Sequence, residues 1–215
     1  MTEIESFESI ARRAVSCDYC FANARLVRPS VDDLAQPRYI GEGYWTSARK
    51  VVVIMPNPGA GAGTDQGIHG ERRNILKRLR DSEAGMDEVF QHQFTDMINW
   101  GWPPGKFMAY IQVSLGLSIN EIALLNLAWC ATQGDEHPKF MLDACYEHHT
   151  EAALKVLSPD VIILSGGDPH KYRLKVSTLF PHSKIFNVLH YAHRKSRADE
   201  DFYTSDVRKF LQSTP

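Results

Sequence analysis

Apolar residues along this 215-residue chain follow two patterns, short unbroken runs and longer stretches with helical spacing. The unbroken runs are rich in Val, Ile and Leu, which is typical of strands buried on both faces. They predict strands at residues 50–55, 121–127, 160–165 and 184–189. Apolar positions three and four residues apart predict helices at 4–16, 70–81, 140–157 and 204–212.

Helical stretches separate the predicted strands, so the connections between strands resemble βαβ crossovers. Such crossovers build a parallel sheet with helices on both faces. We therefore expect an α/β fold, with three αβα layers and a central four-stranded parallel sheet. A content of 43% hydrophobic and 23% charged residues is ordinary for a globular protein, and the length suits one domain over residues 1–215.

Charge and hydropathy narrow the classes of partner. No apolar run approaches the roughly 20 residues that a bilayer span requires. The first residues lack the features of a secretory signal, so we expect a cytoplasmic monomer without a membrane partner. The net charge of -2 argues against a generally basic coat, yet basic residues cluster locally. These clusters predict either phosphate contacts or solvated helix faces. They comprise Arg72, Arg73, Lys77, Arg78 and Arg80, then Lys171, Arg173 and Lys175, then His193, Arg194, Lys195 and Arg197.

Polar and glycine-rich residues follow the predicted strands, at the sheet edge where open parallel sheets bind ligands. Each of these segments, taken alone, has an ordinary explanation as a turn or a helix cap. Together they predict a polar pocket for a neutral hydrogen-bonding ligand such as a base. The glycine-rich loop has neither of the two common phosphate-binding motifs, which argues against a nucleotide-phosphate site. The segments are Pro56 to Gly63, Asn126, Gly166-Gly167-Asp168 and His190 to Arg194.

The four cysteines stand as Cys17-x2-Cys20 and Cys130-x14-Cys145, which is how one four-thiolate metal site would be distributed. Inert buried cysteines, disulfides and a redox CxxC are the alternatives. A redox CxxC follows a strand and begins a helix, whereas a predicted helix ends here, so we favour the metal site. The second pair is too widely spaced for a zinc knuckle, and cubane clusters tolerate such spacing. Spacing alone does not separate iron-sulfur from zinc.

With these residues assembled, the chain resembles the uracil-DNA glycosylase superfamily, most closely its iron-sulfur-containing branch, often called family four. The resemblance covers most of the chain, and all four cysteines find counterparts. It is carried by CDYCFANARLVRPSV from residue 17, QPRYIGEGYWTSARKVVVIMPNPG from residue 36, NLAWC from residue 126 and CYEHHTEAALKVLSPDVIILSGG from residue 145.

The resemblance implies a DNA glycosylase that flips a deaminated base, uracil foremost, out of DNA and hydrolyses its N-glycosidic bond in base-excision repair. Asn57 would position the attacking water, Asn126 would read the base, and His190 would stabilise the departing anion. Further substrate contacts would come from Pro58, Gly59, Ile68, His69, Tyr191 and Arg194. A mainly structural [4Fe-4S] cluster would be bound by Cys17, Cys20, Cys130 and Cys145.

The sequence departs from this branch at three places. The loop around Asn57 looks like the Gly-x-Asn-Pro-Gly loop of other branches, and an amide orients water but scarcely deprotonates it. The base-stacking aromatic is replaced within residues 67–70, and the His-Pro-Ser loop has become His190-Tyr191-Ala192. Two alternatives therefore stay open. One is a non-catalytic iron-sulfur protein that binds a base or nucleic acid, and the other is a zinc-stapled small-molecule hydrolase.

Overall fold

The computed structural model describes residues 2–23, 26–30, 33–58, 66–101, 103–193 and 197–213, without the side chains of 66–69, 197–198 and 200–201. Its helices are α1 (Glu3–Val15), α2 (Tyr19–Asn23), α3 (Gln66–Arg80), α4 (Met86–Met97), α5 (Lys106–Ala109), α6 (Lys139–Cys145), α7 (Glu151–Leu157), α8 (Gly167–Lys171), α9 (Arg173–Leu179) and α10 (Arg197–Gln212). None of the described helices has both the length and the apolar character needed to cross a bilayer.

Four parallel strands form one sheet, so the predicted α/β class and parallel sheet are confirmed. The strands are β1 (Val51–Met55), β2 (Ile122–Asn126), β3 (Val161–Ser165) and β4 (Lys184–Val188), in the spatial order β2-β1-β3-β4. Val51 pairs with Val161, and Val161 pairs with Lys184. Every residue of β1, β2 and β3 is buried, which explains why these strands appear in the sequence as unbroken apolar runs.

The chain divides into two compact units, each assembled from three separated segments. Unit 1 comprises Met1–Arg38, Asn57–His92 and Asn126–Leu157, and unit 2 comprises Tyr39–Pro56, Gln93–Leu125 and Ser158–Pro215. The sheet belongs to unit 2 except for Asn126, the last residue of β2. The expectation of a single domain over residues 1–215 stays a prediction.

Helices α1, α3, α6 and α7 form the framework of unit 1. Helix α1 begins with a capping box, in which the Thr2 hydroxyl accepts from the Glu5 amide and the Glu5 carboxylate accepts from the Thr2 amide. It contacts α3 and α7 and buries Phe7. A π-helical turn, Tyr146–Thr150, joins α6 to α7 within the region that the sequence predicts as one helix. Such turns displace the helical register by one residue and are frequent at functional sites.

In unit 2, α8 contacts β3 and α10 contacts β4. His170 on α8 ties two strand ends together, since its Nε2 lies 3.1 Å from the Leu164 carbonyl oxygen and 2.8 Å from that of Val188. This contact fixes the level at which β3 and β4 end. The residues that follow those strands are therefore held in place relative to each other.

Candidate functional site

All four cysteines belong to unit 1 and carry free thiols. Cys20 lies in α2, and Cys17 lies two residues before that helix. Cys130 follows β2, and Cys145 is the last residue of α6. Cys17 is half-buried, and the other three thiols are buried. The fold thus gathers into one unit the two cysteine pairs that are far apart in the sequence.

Hydrogen bonding and burial govern the protonation of these thiols. Cys145 donates a hydrogen bond to Cys20, which together with burial raises the pKa of Cys145 well above its ordinary value and lowers the pKa of Cys20. Burial raises the pKa of Cys130 to about 12, and it also raises the pKa of Cys17. These shifts favour the protonated form of Cys17, Cys130 and Cys145 and the thiolate form of Cys20. A metal would have to displace those protons to obtain thiolate ligands.

The four cysteines are the candidate ligands for a metal group. Within the part of the chain that the structure describes, no three or more His, Cys, Asp or Glu side chains stand close enough to hold a metal ion. The four thiols nevertheless interact with one another. Cys145 makes a hydrogen bond to Cys20, and the charges of Cys17 and Cys145 act on Cys130. Cysteine is the ligand that iron-sulfur clusters use, and these four side chains share one unit. The chemical type of these four side chains therefore fits a thiolate-bound group.

Arg28 supplies positive charge to this cluster. Its Nη2 donates to the Cys17 carbonyl oxygen at 3.0 Å, and its Nη1 donates to the Asp33 carbonyl oxygen at 2.5 Å. The guanidinium carbon lies 4.0 Å from the centroid of the Phe21 ring, a cation–π contact. A hydrogen bond from Arg28 also favours the thiolate form of Cys130, against the effect of burial, and so lowers the pKa of that thiol. Backbone and aromatic contacts thus hold the guanidinium beside the thiols.

Asn126 is fully buried at the end of β2. The Thr150 hydroxyl donates to the Asn126 carbonyl oxygen at 2.8 Å, and it accepts from the indole nitrogen of Trp129 at 3.0 Å. Thr150 ends the π-helical turn that follows the Cys145 helix. The backbone of the predicted base-reading residue is therefore fixed by the π-helical turn that follows the helix carrying the fourth cysteine.

Asn57 lies two residues after β1, in unit 1. Its Nδ2 donates to the Asp135 carboxylate at 2.7 Å. Pro58, the neighbouring predicted substrate contact, is half-buried. Asp135 belongs to a turn after β2 in which Gly134 and Asp135 have φ values of 78° and 58°. The structure thus adds a carboxylate to the residue that the sequence analysis expects to position water.

His190 follows β4 in unit 2, and its ring carries a defined tautomer. The Ala192 backbone N–H donates to His190 Nδ1 at 3.3 Å. Because a backbone N–H can only donate, Nδ1 accepts and the proton of the neutral ring lies on Nε2. The imidazole can therefore offer an N–H from Nε2 to a developing negative charge.

Gly166 brings the ends of β1, β3 and β4 together within unit 2. It has a φ of 103°, and a Cβ placed there would lie 3.2 Å from His190 Cβ and 3.5 Å from Pro56 Cγ. A side chain at this position would press on the imidazole, and the backbone angle itself favours glycine. Pro56, Gly166 and His190, which follow three separate strands, therefore lie next to one another at this edge of the sheet.

An aromatic cluster holds the segment that follows His190. The Tyr191 ring lies 5.1 Å from that of Phe107 and 6.4 Å from that of Tyr110, between ring centroids. The Tyr110 hydroxyl donates to the Leu189 carbonyl oxygen at 2.9 Å and lies 3.1 Å from the Ser165 hydroxyl. Tyr191 therefore packs against protein rings as well as following the predicted anion-stabilising histidine.

Arginines of α3 are engaged within unit 1. Arg73 pairs with Asp33 at 2.7 Å, and Arg78 pairs with Glu88 at 2.8 Å. Arg72 is buried, which places it out of reach of a phosphate backbone. These contacts favour the helix-face interpretation of this basic run over the phosphate-contact interpretation.

Some predicted site residues lie outside the described residues. Gly59 and Arg194 are among them, and for Ile68 and His69 only the helical backbone of α3 is described. Asn57 and Asn126 belong to unit 1 and His190 belongs to unit 2, so their convergence in one pocket stays a prediction.

Four residues of this region, Arg28, Asp135, Thr150 and Tyr110, were not predicted from the sequence. Each acts through a contact with a residue distant in sequence. Asp135 alone left a local signal, because Gly134-Asp135 in a polar stretch is typical of a turn with positive φ.

A scan of the chain against models of known protein families finds no match. A search among curated proteins likewise finds no relative.

Proposed function

We propose that this chain is a DNA glycosylase that flips a deaminated base, uracil foremost, out of DNA and hydrolyses its N-glycosidic bond. The observation that carries the proposal is the hydrogen bond at His190, whose Nδ1 accepts from the Ala192 backbone N–H and so leaves the proton of the neutral ring on Nε2. An N–H donor on Nε2 is what a departing base anion needs at its O2 atom. Placement of this histidine at the carboxyl end of a parallel strand agrees with where such sheets bind ligands.

Asn126 would read the base. An asparagine amide can accept from uracil N3–H and donate to O4, whereas cytosine presents the opposite pattern. Buried side chains discriminate strongly because a wrong partner leaves a polar group without a hydrogen bond. The burial of Asn126 and the hydrogen bond from Thr150 to the Asn126 backbone carbonyl oxygen support this role.

Cys17, Cys20, Cys130 and Cys145 would hold a [4Fe-4S] cluster. The cluster would supply a covalent crosslink between distant segments of unit 1, which reduces the entropic cost of ordering them. The free thiols of these four residues in one unit support the assignment. The chemistry at the base would be carried out by the side chains of Asn57, Asn126 and His190.

A glycosylase assay tests the proposal. Oligonucleotides with a single uracil, hypoxanthine, xanthine or mismatched thymine are incubated with the protein, and abasic sites are revealed by alkaline cleavage. We expect product from at least one deaminated base. We expect Asn126→Ala to reduce the rate about 10- to 100-fold, since two hydrogen bonds to the base are lost. Asn74→Ala, at an exposed position of α3, is the matched control and should keep the wild-type rate.

Two other outcomes contradict the proposal and favour the alternatives. A protein that binds DNA but never leaves an abasic site would be a nucleic-acid-binding protein. A colourless protein that contains one zinc and binds DNA weakly, with little salt dependence, would favour the small-molecule hydrolase.

A further inference from the structure

The side chains of Asn57 and Asp135 form a hydrogen-bonded pair with a defined direction. Nδ2 of Asn57 lies 2.7 Å from Oδ1 of Asp135. A carboxylate has no hydrogen to donate, so the amide nitrogen of Asn57 must face it. The pair fixes the orientation of the amide and leaves Oδ1 of Asn57 as its acceptor atom.

The turn that carries Asp135 is tied by local hydrogen bonds. The Asp135 amide donates to the Thr132 carbonyl oxygen at 3.1 Å, and the Thr132 hydroxyl donates to the Glu136 carbonyl oxygen at 2.7 Å. Asp135 has a φ of 58°, a left-handed conformation that is uncommon for residues other than glycine. This turn therefore holds the Asp135 carboxylate at Asn57.

Hydrolysis of a glycosidic bond needs a proton acceptor for the attacking water, and an amide cannot serve as one. Resting on the proposed glycosylase function, we propose that Asp135 is the general base of the reaction. Asn57 Oδ1 accepts one hydrogen of the water and orients it. The Asp135 carboxylate takes the other proton.

The step balances without any further reactant. The water oxygen forms a bond to C1′ of the sugar while the bond from C1′ to the base nitrogen breaks. The electron pair of the broken bond leaves with the base, and the water proton passes to Asp135. The products are an abasic sugar with a C1′ hydroxyl, a protonated Asp135 and a base anion.

A purely structural role for Asp135 predicts different results from a base role. In Asp135→Asn, the side-chain carbonyl can still accept from Asn57 Nδ2, so the position of Asn57 is preserved while the proton acceptor is lost. In Asp135→Ala, removal of this exposed carboxylate leaves space beside Asn57 that a small carboxylate such as formate can occupy. Formate can restore proton transfer but cannot restore a turn.

The experiment measures single-turnover excision of the best deaminated base by the full chain, with and without formate. We expect Asp135→Asn to reduce the rate about 10²- to 10⁴-fold, the usual contribution of a general base. Affinity for a duplex with a tetrahydrofuran abasic analogue should stay within about twofold, because the loss of a general base affects the chemical step and not binding. Formate should raise the rate of Asp135→Ala at least about tenfold, within the range of general-base catalysis. Glu136→Gln, which removes the neighbouring exposed carboxylate, is the control and should behave as wild type.

The contrary outcomes separate this inference from the proposed function. Wild-type protein that excises no base overturns the proposed function and the base role with it. Active wild type together with an Asp135→Asn variant of nearly equal rate overturns the base role alone. The base role is also overturned if Asp135→Ala is slow and formate leaves its rate unchanged.

Discussion

The Thr150 hydroxyl donates to the backbone carbonyl oxygen of Asn126 at a distance of 2.8 Å. The same hydroxyl accepts from the indole N–H of Trp129, which is buried. One side chain thus satisfies a buried donor and a buried acceptor. It joins the strand end that bears the predicted base-reading residue to the helical region that follows Cys145.

Replacing Thr150 with valine should destabilise the protein. Valine has nearly the same shape as threonine, but it lacks the hydroxyl that accepts from the Trp129 N–H and donates to the Asn126 carbonyl oxygen. Loss of these two buried hydrogen bonds should lower the free energy of unfolding by about 2–3 kcal/mol. Urea denaturation followed by circular dichroism measures it. Thr150→Ser keeps the hydroxyl and should lose only about 1 kcal/mol, the cost of a small cavity. Equal losses in the two variants would show that the hydrogen bonds contribute little.

Gly166→Ala should impair both stability and excision. The φ of 103° and the 3.2 Å approach to His190 Cβ leave no room for a methyl group. We expect a loss of about 1–3 kcal/mol, as for other strained backbone positions, and a slower single-turnover rate because His190 is displaced. Gly167→Ala is the matched control, since nothing lies within 4 Å of a Cβ there. A Gly166→Ala variant as stable and active as Gly167→Ala would contradict the steric argument.

His149 makes stability sensitive to acid. It is buried, and neither ring nitrogen has a hydrogen-bond partner among the described residues. Burial lowers the pKa of His149 to about 4, and the positive charges of His148 and Arg13 act in the same direction. The unfolded chain, with an ordinary histidine pKa near 6.5, binds the proton more readily. The stability that the protein gains from keeping His149 neutral is therefore fully present above pH 6.5. It is lost as the pH falls from 6.5 towards 4.

The corresponding test compares free energies of unfolding at pH 7 and pH 5. Wild type should lose about 2 kcal/mol more than His149→Leu over this interval. His182→Gln, an exposed histidine, controls for general acid effects and should follow wild type. If His149→Leu loses as much stability at pH 5 as wild type does, His149 is not the source of the acid sensitivity.

Arg28 should tune the proposed cluster. In the proposed cluster, four thiolates would place negative charge in a largely buried region, and the guanidinium lies against the Cys17 carbonyl and the Phe21 ring. Removing the positive charge with Arg28→Gln should lower the reduction potential and the iron content per chain, because the more negative oxidised state gains relative stability. Spectroelectrochemistry and iron analysis measure both. Arg80→Gln removes an exposed charge on α3 as the control, and indistinguishable potentials in the two variants would refute the effect.

The sequence predicted the elements whose signal is local. Strands such as β1 and β3 are buried on both faces, so their apolar character alone marks them. The contact between Asn57 and Asp135 joins residues 78 positions apart, and no periodic pattern encodes it. The π-helical turn at Tyr146–Thr150 was equally hidden, because a one-residue change of register scarcely alters the spacing of apolar positions. Fold class was therefore accessible, whereas partners of the site residues required coordinates.

The discontinuous construction of unit 1 sets an order of events during synthesis. Cys20 leaves the ribosome about 125 residues before Cys145. At typical rates of translation this interval lasts about 6 to 25 seconds. The first thiol pair must wait that long for the segment that completes its surroundings, and it is exposed to oxidants and stray metals meanwhile. Cells that make this protein under oxidative stress would therefore accumulate damage at Cys17 and Cys20 before damage at Cys145.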